Sequence, residues 1–293
     1  AGTDWGTEVL ISSGPFYLTE FLPGEKMVYA KNPHYYKEGL PYLDGIEIAM
    51  NVDKSVAALR RQGGEAEFVP ADSLPPAELV AAQSDESYKE ALRLAPSGII
   101  TLLNFNPVSE PLQNLQVRQA IAHAIDRETI AKRSGRGLLA DSIFPSVYPQ
   151  YDPEFASAYP YDLEKAKALL TEAGYSDGFS GFAIFAGQGQ ELGEIIQADL
   201  ASIGIDVEVL SGNWDDYKPR WLSGEIMMTH FGAGGSFLDA SELIRGRVTC
   251  PSEAAKAANP EEAATNWCDP ALDEKYGQAE SLPLDSEERT ALY

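Results

Sequence analysis

Three residues that could carry out acyl transfer lie close together in the second half of the chain. His230, Ser236 and Asp239 fall within ten positions, on a predicted strand and the glycine-rich loop that follows it. A serine, a histidine and a carboxylate within hydrogen-bond reach can form and hydrolyse an ester intermediate, and the amides of Gly234 and Gly235 could stabilise the oxyanion. The chain contains no Gly-x-Ser-x-Gly, so the spacing matches no nucleophile elbow. A hydrolase is therefore the alternative to a function in binding.

Residue types that commonly bind metals show no spacing typical of a metal site. His34, His123 and His230 belong to unrelated segments of the sequence. No pair of histidines or cysteines has the separation of zinc ligands. The sequence predicts no metal site, and no pattern in it indicates a cofactor.

The charge balance of the chain argues against one class of partner. Asp and Glu number 45 against 22 Lys and Arg, which gives a formal net charge of -23 at pH 7. A surface of that sign repels phosphate, so nucleic acid is not expected as a partner. Solubility, adaptation to salt and attraction of cationic ligands all stay open as reasons for the acidity.

The composition is that of a folded, water-soluble protein, with 44% apolar and 23% charged residues. No stretch approaches the roughly 18 uninterrupted apolar residues that a membrane span requires, so no span is predicted. The first residues show neither the basic start nor the apolar run of an export signal, and we expect that any such signal is not part of this chain.

The two cysteines, Cys250 and Cys268, lie in a region rich in Pro, Asn and Ala that reads as irregular structure. A local disulfide between them would close a short loop and would stabilise the fold by roughly 3 kcal/mol in the chain-entropy model. Because disulfides persist only in oxidising compartments, the residues alone leave open whether the bond forms.

The elements that must position these residues alternate between strands and helices. Turn signals predict strands and turns up to residue 50, a helix that begins after Asp53 and ends at Gly63-Gly64, and a short strand over 66–69. A polar passage rich in Pro and Ala follows, and we place a domain boundary near Pro96. This is an α/β pattern.

Beyond Pro96 the pattern becomes more regular. An apolar run of strand length is followed by an amphipathic helix, and a second helix begins at the N-cap Asp162 and stops at Gly174. The next three segments form a predicted βαβ unit, whose strands should be parallel with a right-handed crossover. The segments are the strand 99–105, the helices around 117–125 and 162–174, and the unit 182–186, 192–203 and 205–209.

Several segments resemble, in order, the family 5 extracellular solute-binding proteins of ABC importers. The resemblance covers nearly the whole chain, and its most specific part is the helix that contains Val-Arg-Gln-Ala-Ile followed by Ala-Ile-Asp-Arg. Five matches in the right order and spacing are hard to obtain by chance. The matching segments are 12–17 with 23–24, 32–36, 117–127, 162–179 and 200–205.

The resemblance implies a two-lobed receptor of the periplasmic-binding-protein type II class, outside the cytoplasm and associated with the membrane. Members of the family carry a long segment ahead of the Gly-Pro-Tyr stretch and a final segment that returns to the first lobe. We therefore expect a remnant of lobe I over residues 1–96 and a largely complete lobe II over 97–293. The implied partners are an ABC permease and a small solute, a peptide first, with a nickel complex or a sugar as alternatives.

The same resemblance implies candidate ligand contacts. In dipeptide-binding relatives an Asp of an Asp-Pro motif holds the ligand ammonium, and Asp239 occupies the corresponding place, although Ala240 replaces the proline. A carboxylate in a partly dry cleft suits an ammonium. An Arg that usually meets the ligand carboxylate is missing from residues 187–190, so a strict preference for dipeptides is not expected.

Further candidates come from the segments around that loop. Asn104 and Asn106 end the strand that reaches the cleft in the family, although turn formation explains Asn106 equally well. Aromatic side chains near Asp239 could stack on apolar or sugar groups, with core packing as the alternative for each. They are Trp214, Tyr217, Trp221 and Phe231.

The pattern of Cys250 followed by Asn-x-Cys at 266–268 also resembles dipeptide-binding members. The resemblance implies that Cys250 and Cys268 form a disulfide.

Overall fold

A computed structural model describes most of the residues of the chain. These are residues 12–70, 73–88, 91–134, 139, 142–153, 158–187, 189–234, 238–245, 247, 249–260, 263, 265 and 267–293.

The chain divides into two compact units, Ala1–Leu79 and Val80–Tyr293. This division lies before the Pro96 expected from the sequence. The assignment of 1–96 and 97–293 to two lobes of a receptor stays a prediction.

The first unit contains a three-stranded antiparallel sheet in the order β1-β2-β3, built from β1 (Phe16–Leu22), β2 (Lys26–Lys31) and β3 (Gly45–Ala49). Gly24 adopts a positive φ of 76° in the predicted Pro-Gly turn, a conformation that glycine reaches without strain. Asp53 caps α1 (Lys54–Gln62) by accepting a hydrogen bond from the Ser55 amide at 2.9 Å. The prediction of a strand over 66–69 was wrong, because those residues form irregular structure.

The second unit contains a four-stranded sheet in the order β4-β7-β5-β6. Its strands are β4 (Ile99–Phe105), β5 (Phe179–Phe185), β6 (Ile205–Leu210) and β7 (Ile226–Gly234). β5 is parallel to β6 and to β7, whereas β4 is antiparallel to β7. The predicted βαβ unit of two parallel strands is therefore confirmed.

Helices flank this sheet and continue to the end of the chain. α2 (Pro76–Ser84) spans the division between the two units, and a 3-10 turn follows at Glu86–Tyr88. The other described helices are α3 (Glu110–Gln113), α4 (Leu115–Ala124), α5 (Arg127–Ser134), α6 (Leu163–Glu172), α7 (Gln190–Ala201), α8 (Trp214–Leu222), α9 (Ala240–Ile244), α10 (Glu253–Ala258), α11 (Pro270–Glu280) and α12 (Glu287–Leu292).

The core of the second unit is built on the amphipathic helix α4. The apolar face of this helix, formed by Val117, Ala120, Ile121 and Ala124, is 0% exposed and belongs to one cluster with Leu170 of α6. Fully burying one side chain of the size of Val117, Ile121 or Leu170 stabilises the fold by about 1.5–3 kcal/mol. The two helices and the sheet thus share one packed core, from which the loops at the strand ends extend.

Both ends of α6 carry the predicted residues. Asp162 accepts a hydrogen bond from the Lys165 amide at 2.9 Å, which satisfies one of the free donors of the first turn. Gly174 follows the last turn with a φ of 90°. Within the part of the chain that the structure describes, no helix is both long and apolar enough to cross a bilayer.

Candidate ligand-binding site

The three parallel strands define the edge of the sheet at which a ligand is most readily bound. β5 ends at Phe185, which pairs with Thr229 of β7, whereas β7 continues to Gly234, which pairs with Ile99 at the start of β4. The loops after β5, β6 and β7 therefore leave the sheet on one side, which we call the carboxyl edge. In open α/β sheets ligands bind outside the carboxyl ends of the strands.

Asp239 lies just beyond this edge, at the start of α9, and is 5% exposed. Its Oδ1 accepts hydrogen bonds from the Ser241 amide at 3.1 Å and from Arg289 Nη2 at 2.8 Å, and its Oδ2 accepts one from Arg289 Nε at 3.0 Å. Burial raises the pKa of Asp239, but the hydrogen bonds from Arg289 and Ser241 outweigh it and hold this pKa below its usual value. Both carboxylate oxygens are thus engaged within the chain. Contact between Asp239 and a ligand stays a prediction.

Arg289 is the site residue that the sequence analysis missed. It lies on α12, is 2% exposed, and also donates to the Glu280 carboxylate at 2.5 Å and to the Ala279 carbonyl. The available signal was an arginine placed directly after two glutamates in an acidic C-terminal stretch. Its partner is 50 positions away, a separation that no local pattern could connect.

The residues of the hydrolase alternative do not form a relay in the described part of the chain. His230 is 4% exposed on β7, opposite Leu103. The carboxylate that would orient the histidine is bonded to Arg289 and Ser241 instead. Ser236, the proposed nucleophile, and Gly235 lie outside the described residues.

Asn104 lies at the carboxyl end of β4 and is level with the last residue of β5, because Thr229 of β7 pairs with both Asn104 and Phe185. Asn104 pairs with Thr229, five residues before Gly234, which corresponds to about 17 Å along the strand. Asn106 is 0% exposed, and its amide donates to the carbonyls of Trp221 at 2.7 Å and Ile226 at 2.9 Å. The structure therefore does not bring either asparagine together with Asp239. Ligand contact by Asn104 and Asn106 stays a prediction. Asn104 is level with the strand ends from which the loops after β5 and β6 leave, whereas the side chain of Asn106 is fully buried and bonded within the chain.

The four aromatic candidates do come together, around the buried ring of Phe185. Ring centroids lie 5.0 Å from Phe185 for Trp214, 5.5 Å for Tyr217 and 5.4 Å for Phe231, and Trp221 lies 6.0 Å from Trp214. Each of the four is half-buried, so each packs in the cluster and keeps an exposed part. Core packing accounts for these contacts, and stacking on a ligand stays a prediction.

The loop after β5 passes directly over this cluster. A Cβ atom at Gly187 would lie 2.2 Å from Cε1 of Phe231, so the close approach requires glycine. The loop after β6 is joined to the start of α7, since the Ser211 hydroxyl donates to Oε1 of Gln190 at 2.9 Å. The sequence has no Lys or Arg from residue 168 to residue 217. These two loops consequently offer no cation to a ligand carboxylate.

Two shallow depressions elsewhere on the described surface contain none of the candidate residues. One, of about 360 Å³, is lined by Phe182, Glu208 and Arg220 among others. The other, of about 410 Å³, includes Arg127 and Tyr159. We favour the carboxyl edge over both depressions, because the topology of the sheet, and not the size of a surface hollow, determines where loops converge.

Cys250 and Cys268 form a disulfide with a Cα–Cα distance of 4.7 Å, as the resemblance implied. Among the residues that the structure describes, no group of three or more His, Cys, Asp or Glu side chains is arranged to hold a metal ion.

Comparisons with known proteins identify the family of the chain. The family described as bacterial extracellular solute-binding proteins, family 5 Middle, matches residues 1–253. The dipeptide-binding protein of Escherichia coli is 27% identical over 268 residues, which cover 88% of this chain and 48% of that protein. Di/tripeptide-binding protein 2 of Pseudomonas aeruginosa is 30% identical over 295 residues, covering 97% of this chain and 52% of the relative.

Solved structures show the same fold. The periplasmic binding protein DppA from Helicobacter pylori, in complex with the peptide STSA, superposes with a TM-score of 0.77 at 27% identity, over 96% of this chain and 53% of that chain. The fold is the periplasmic-binding-protein type II, mixed α/β class expected from the sequence. The chain spans about half the length of the relatives it matches. It belongs to the bacterial extracellular solute-binding proteins of family 5.

Proposed function

We propose that this chain forms the ligand-binding second lobe, with part of the first lobe, of an extracytoplasmic receptor that delivers peptides or related small solutes to the permease of an ABC importer. The observation that carries the proposal is the family match over residues 1–253. The carboxyl edge supplies a place for the ligand, because the three parallel strands end on the same side of the sheet and a partly exposed aromatic cluster packs around Phe185, the last residue of β5.

A peptide is the ligand class that the relatives favour, since two of those compared are named for dipeptides or tripeptides and one was solved with a four-residue peptide. The absence of any Lys or Arg from residues 168–217 leaves the loops after β5 and β6 without a partner for a free carboxylate. The ligand therefore either lacks a free carboxylate at that point or is a longer peptide held through its backbone.

The proposed location is the periplasm or the cell exterior. The Cys250–Cys268 disulfide supports an oxidising compartment. The strongly negative charge fits a receptor that meets its solute by diffusion and does not bind nucleic acid.

A peptide series tests the proposal. Tetrapeptides with a free or an amidated C-terminus should bind within about fivefold of each other, because fivefold corresponds to about 1 kcal/mol, less than a charged hydrogen bond contributes. Titration calorimetry measures the two affinities. A loss of a hundredfold on amidation would mean that a cation outside these loops receives the carboxylate, and binding of neither peptide would contradict a peptide receptor.

A solute-binding receptor binds its ligand without converting it chemically. Any hydrolysis of a short-chain nitrophenyl ester should be slow and should survive Ser236→Ala. Initial rates of the wild type, Ser236→Ala and His230→Ala decide this, with melting temperatures checked for each protein. A drop of more than about a hundredfold in both folded variants would reach what general acid–base catalysis supplies and would establish a hydrolase.

A further inference from the structure

One buried ion pair joins the C-terminal helix to the carboxyl edge. Arg289 and Asp239 have side chains that are 3% and 8% exposed, and the guanidinium meets the carboxylate through two nearly parallel N–H···O bonds of 3.0 and 2.8 Å. Its remaining donors reach Glu280 and the carbonyls of Ala279 and Leu282. The guanidinium is therefore satisfied by the chain and has no surface to offer to a ligand.

The Asp239 carboxylate of this ion pair also caps a helix. Asp239 begins α9 by accepting the Ser241 amide, and it ends the segment through which β7 leaves the sheet. A planar guanidinium that donates two N–H bonds to one carboxylate fixes the orientation of the carboxylate as well as its distance. The point charge of a lysine ammonium fixes only the distance. The place where this segment enters α9 is thus determined by a side chain 50 positions further along the chain.

We propose that Arg289 is a positioning residue for ligand binding. By holding Asp239, it fixes the start of α9 beside the carboxyl edge, and it does so without touching the solute. This inference rests on the proposed function, because it takes the carboxyl edge to be the binding site.

A purely structural role makes a different prediction. Arg289 also belongs to the contact between α11 and α12, and Tyr293 next to it packs against the apolar cluster of Ile100, Tyr148 and Leu243. If the ion pair served only to attach these helices, its loss would loosen the C-terminal helices and lower stability without a specific effect at α9 or on the affinity of the folded protein.

The test combines hydrogen exchange with peptide binding in the full chain. Arg289→Lys keeps the charge but loses the fork, and Arg289→Gln loses both. Arg220→Gln is the matched control, because Arg220 also joins two carboxylates, Glu208 and Glu225, at a site away from α9. The probe is the tetrapeptide Ser-Thr-Ser-Ala.

We expect Arg289→Lys to raise the exchange rates of the amides of α9 at least tenfold and to weaken peptide binding at least fivefold, while the amides of β5 and β6 keep their rates. Arg289→Gln should show the same pattern more strongly, and Arg220→Gln should stay within twofold of the wild type in both measurements. If Arg289→Gln does not fold, the lysine variant alone decides.

Three results would overturn the inference: unchanged exchange and affinity in Arg289→Lys, faster exchange in α9 with unchanged affinity, or faster exchange spread equally over β5 and β6. A wild type that binds no peptide would instead refute the proposed function, and the role of Arg289 in binding would fall with it. The exchange rates would still decide whether Arg289 holds the start of α9, so the two failures are distinguishable.

Discussion

The replacement Asn106→Ala separates a structural asparagine from a ligand contact. The Asn106 amide donates to the carbonyls of Trp221 and Ile226, and its Oδ1 accepts the Val108 amide at 3.0 Å, all in a fully buried site. The Trp221 carbonyl keeps a second bond, from the Gly224 amide at 3.0 Å. The substitution therefore leaves mainly two groups without a partner, the Ile226 carbonyl and the Val108 amide. At about 1–3 kcal/mol for each unsatisfied buried group, we expect a loss of about 3 kcal/mol.

The neighbouring Asn104 provides the matched control. Its amide makes one long bond, 3.5 Å to the Thr229 carbonyl, in a half-buried position. We expect Asn104→Ala to cost only about 0.5 kcal/mol, at the low end of a net hydrogen bond. Urea unfolding at 25 °C measures both variants, and the melting temperature of Asn106→Ala should fall by roughly 8 °C.

Because the Asn106 side chain is fully buried and bonded within the chain, its removal should leave peptide affinity within twofold when binding is measured on folded protein. A loss of less than 1 kcal/mol would refute the hydrogen-bond network on which the estimate depends. A tenfold loss of affinity with unchanged stability would show that the amide faces the ligand.

Three further predictions concern covalent and ionic contributions to stability. Alkylation of the unreduced protein should leave its intact mass unchanged, and reduction of Cys250–Cys268 should lower the free energy of unfolding by about 3 kcal/mol in urea titrations; two alkylated thiols without reductant would contradict the bond. Burial raises the pKa of Asp199, and the nearby Asp126 carboxylate adds to the effect, so Asp199→Asn should stabilise the protein modestly at pH 7. That gain should vanish below about pH 4, where the wild-type carboxyl is protonated in both states, and an equal gain at pH 3 would be inconsistent with this cause. Because the pKa of Asp239 is lowered, Asp239→Asn should have the opposite effect and should reduce the free energy of unfolding at pH 7. The difference in free energy of unfolding between this variant and the wild type should shrink as the pH falls below about 4.

Local signals in the sequence predicted the elements that they specify directly. The cap at Asp162 and the glycine at 174 bounded α6, because capping depends on residues within one turn of the helix end. The apolar period of residues 117–125 predicted the buried face of α4 for the same reason. The family resemblance supplied the disulfide and the class of fold.

The placement of the candidate site depended on contacts that no local pattern contains. Asn104 bonds to a carbonyl 125 positions away on an antiparallel strand, and this pairing places it five residues along β7 from Gly234, the end of the strand nearest Asp239 in sequence. Asp239 was correctly located near the end of β7, but the arginine that neutralises it lies on a helix whose approach is a tertiary event. The strand expected over 66–69 failed because a short mixed segment has no preference strong enough to override its surroundings.

The measurement that tests the central claim most directly is the map of amide chemical-shift changes when the tetrapeptide Ser-Thr-Ser-Ala is titrated into the isotope-labelled chain. We predict changes that saturate and that cluster in the loops after β5, β6 and β7, around residues 186–189, 211–213 and 232–241. Changes confined to the depression around Arg127 and Tyr159, or no saturable change at millimolar peptide, would contradict peptide binding at the carboxyl edge.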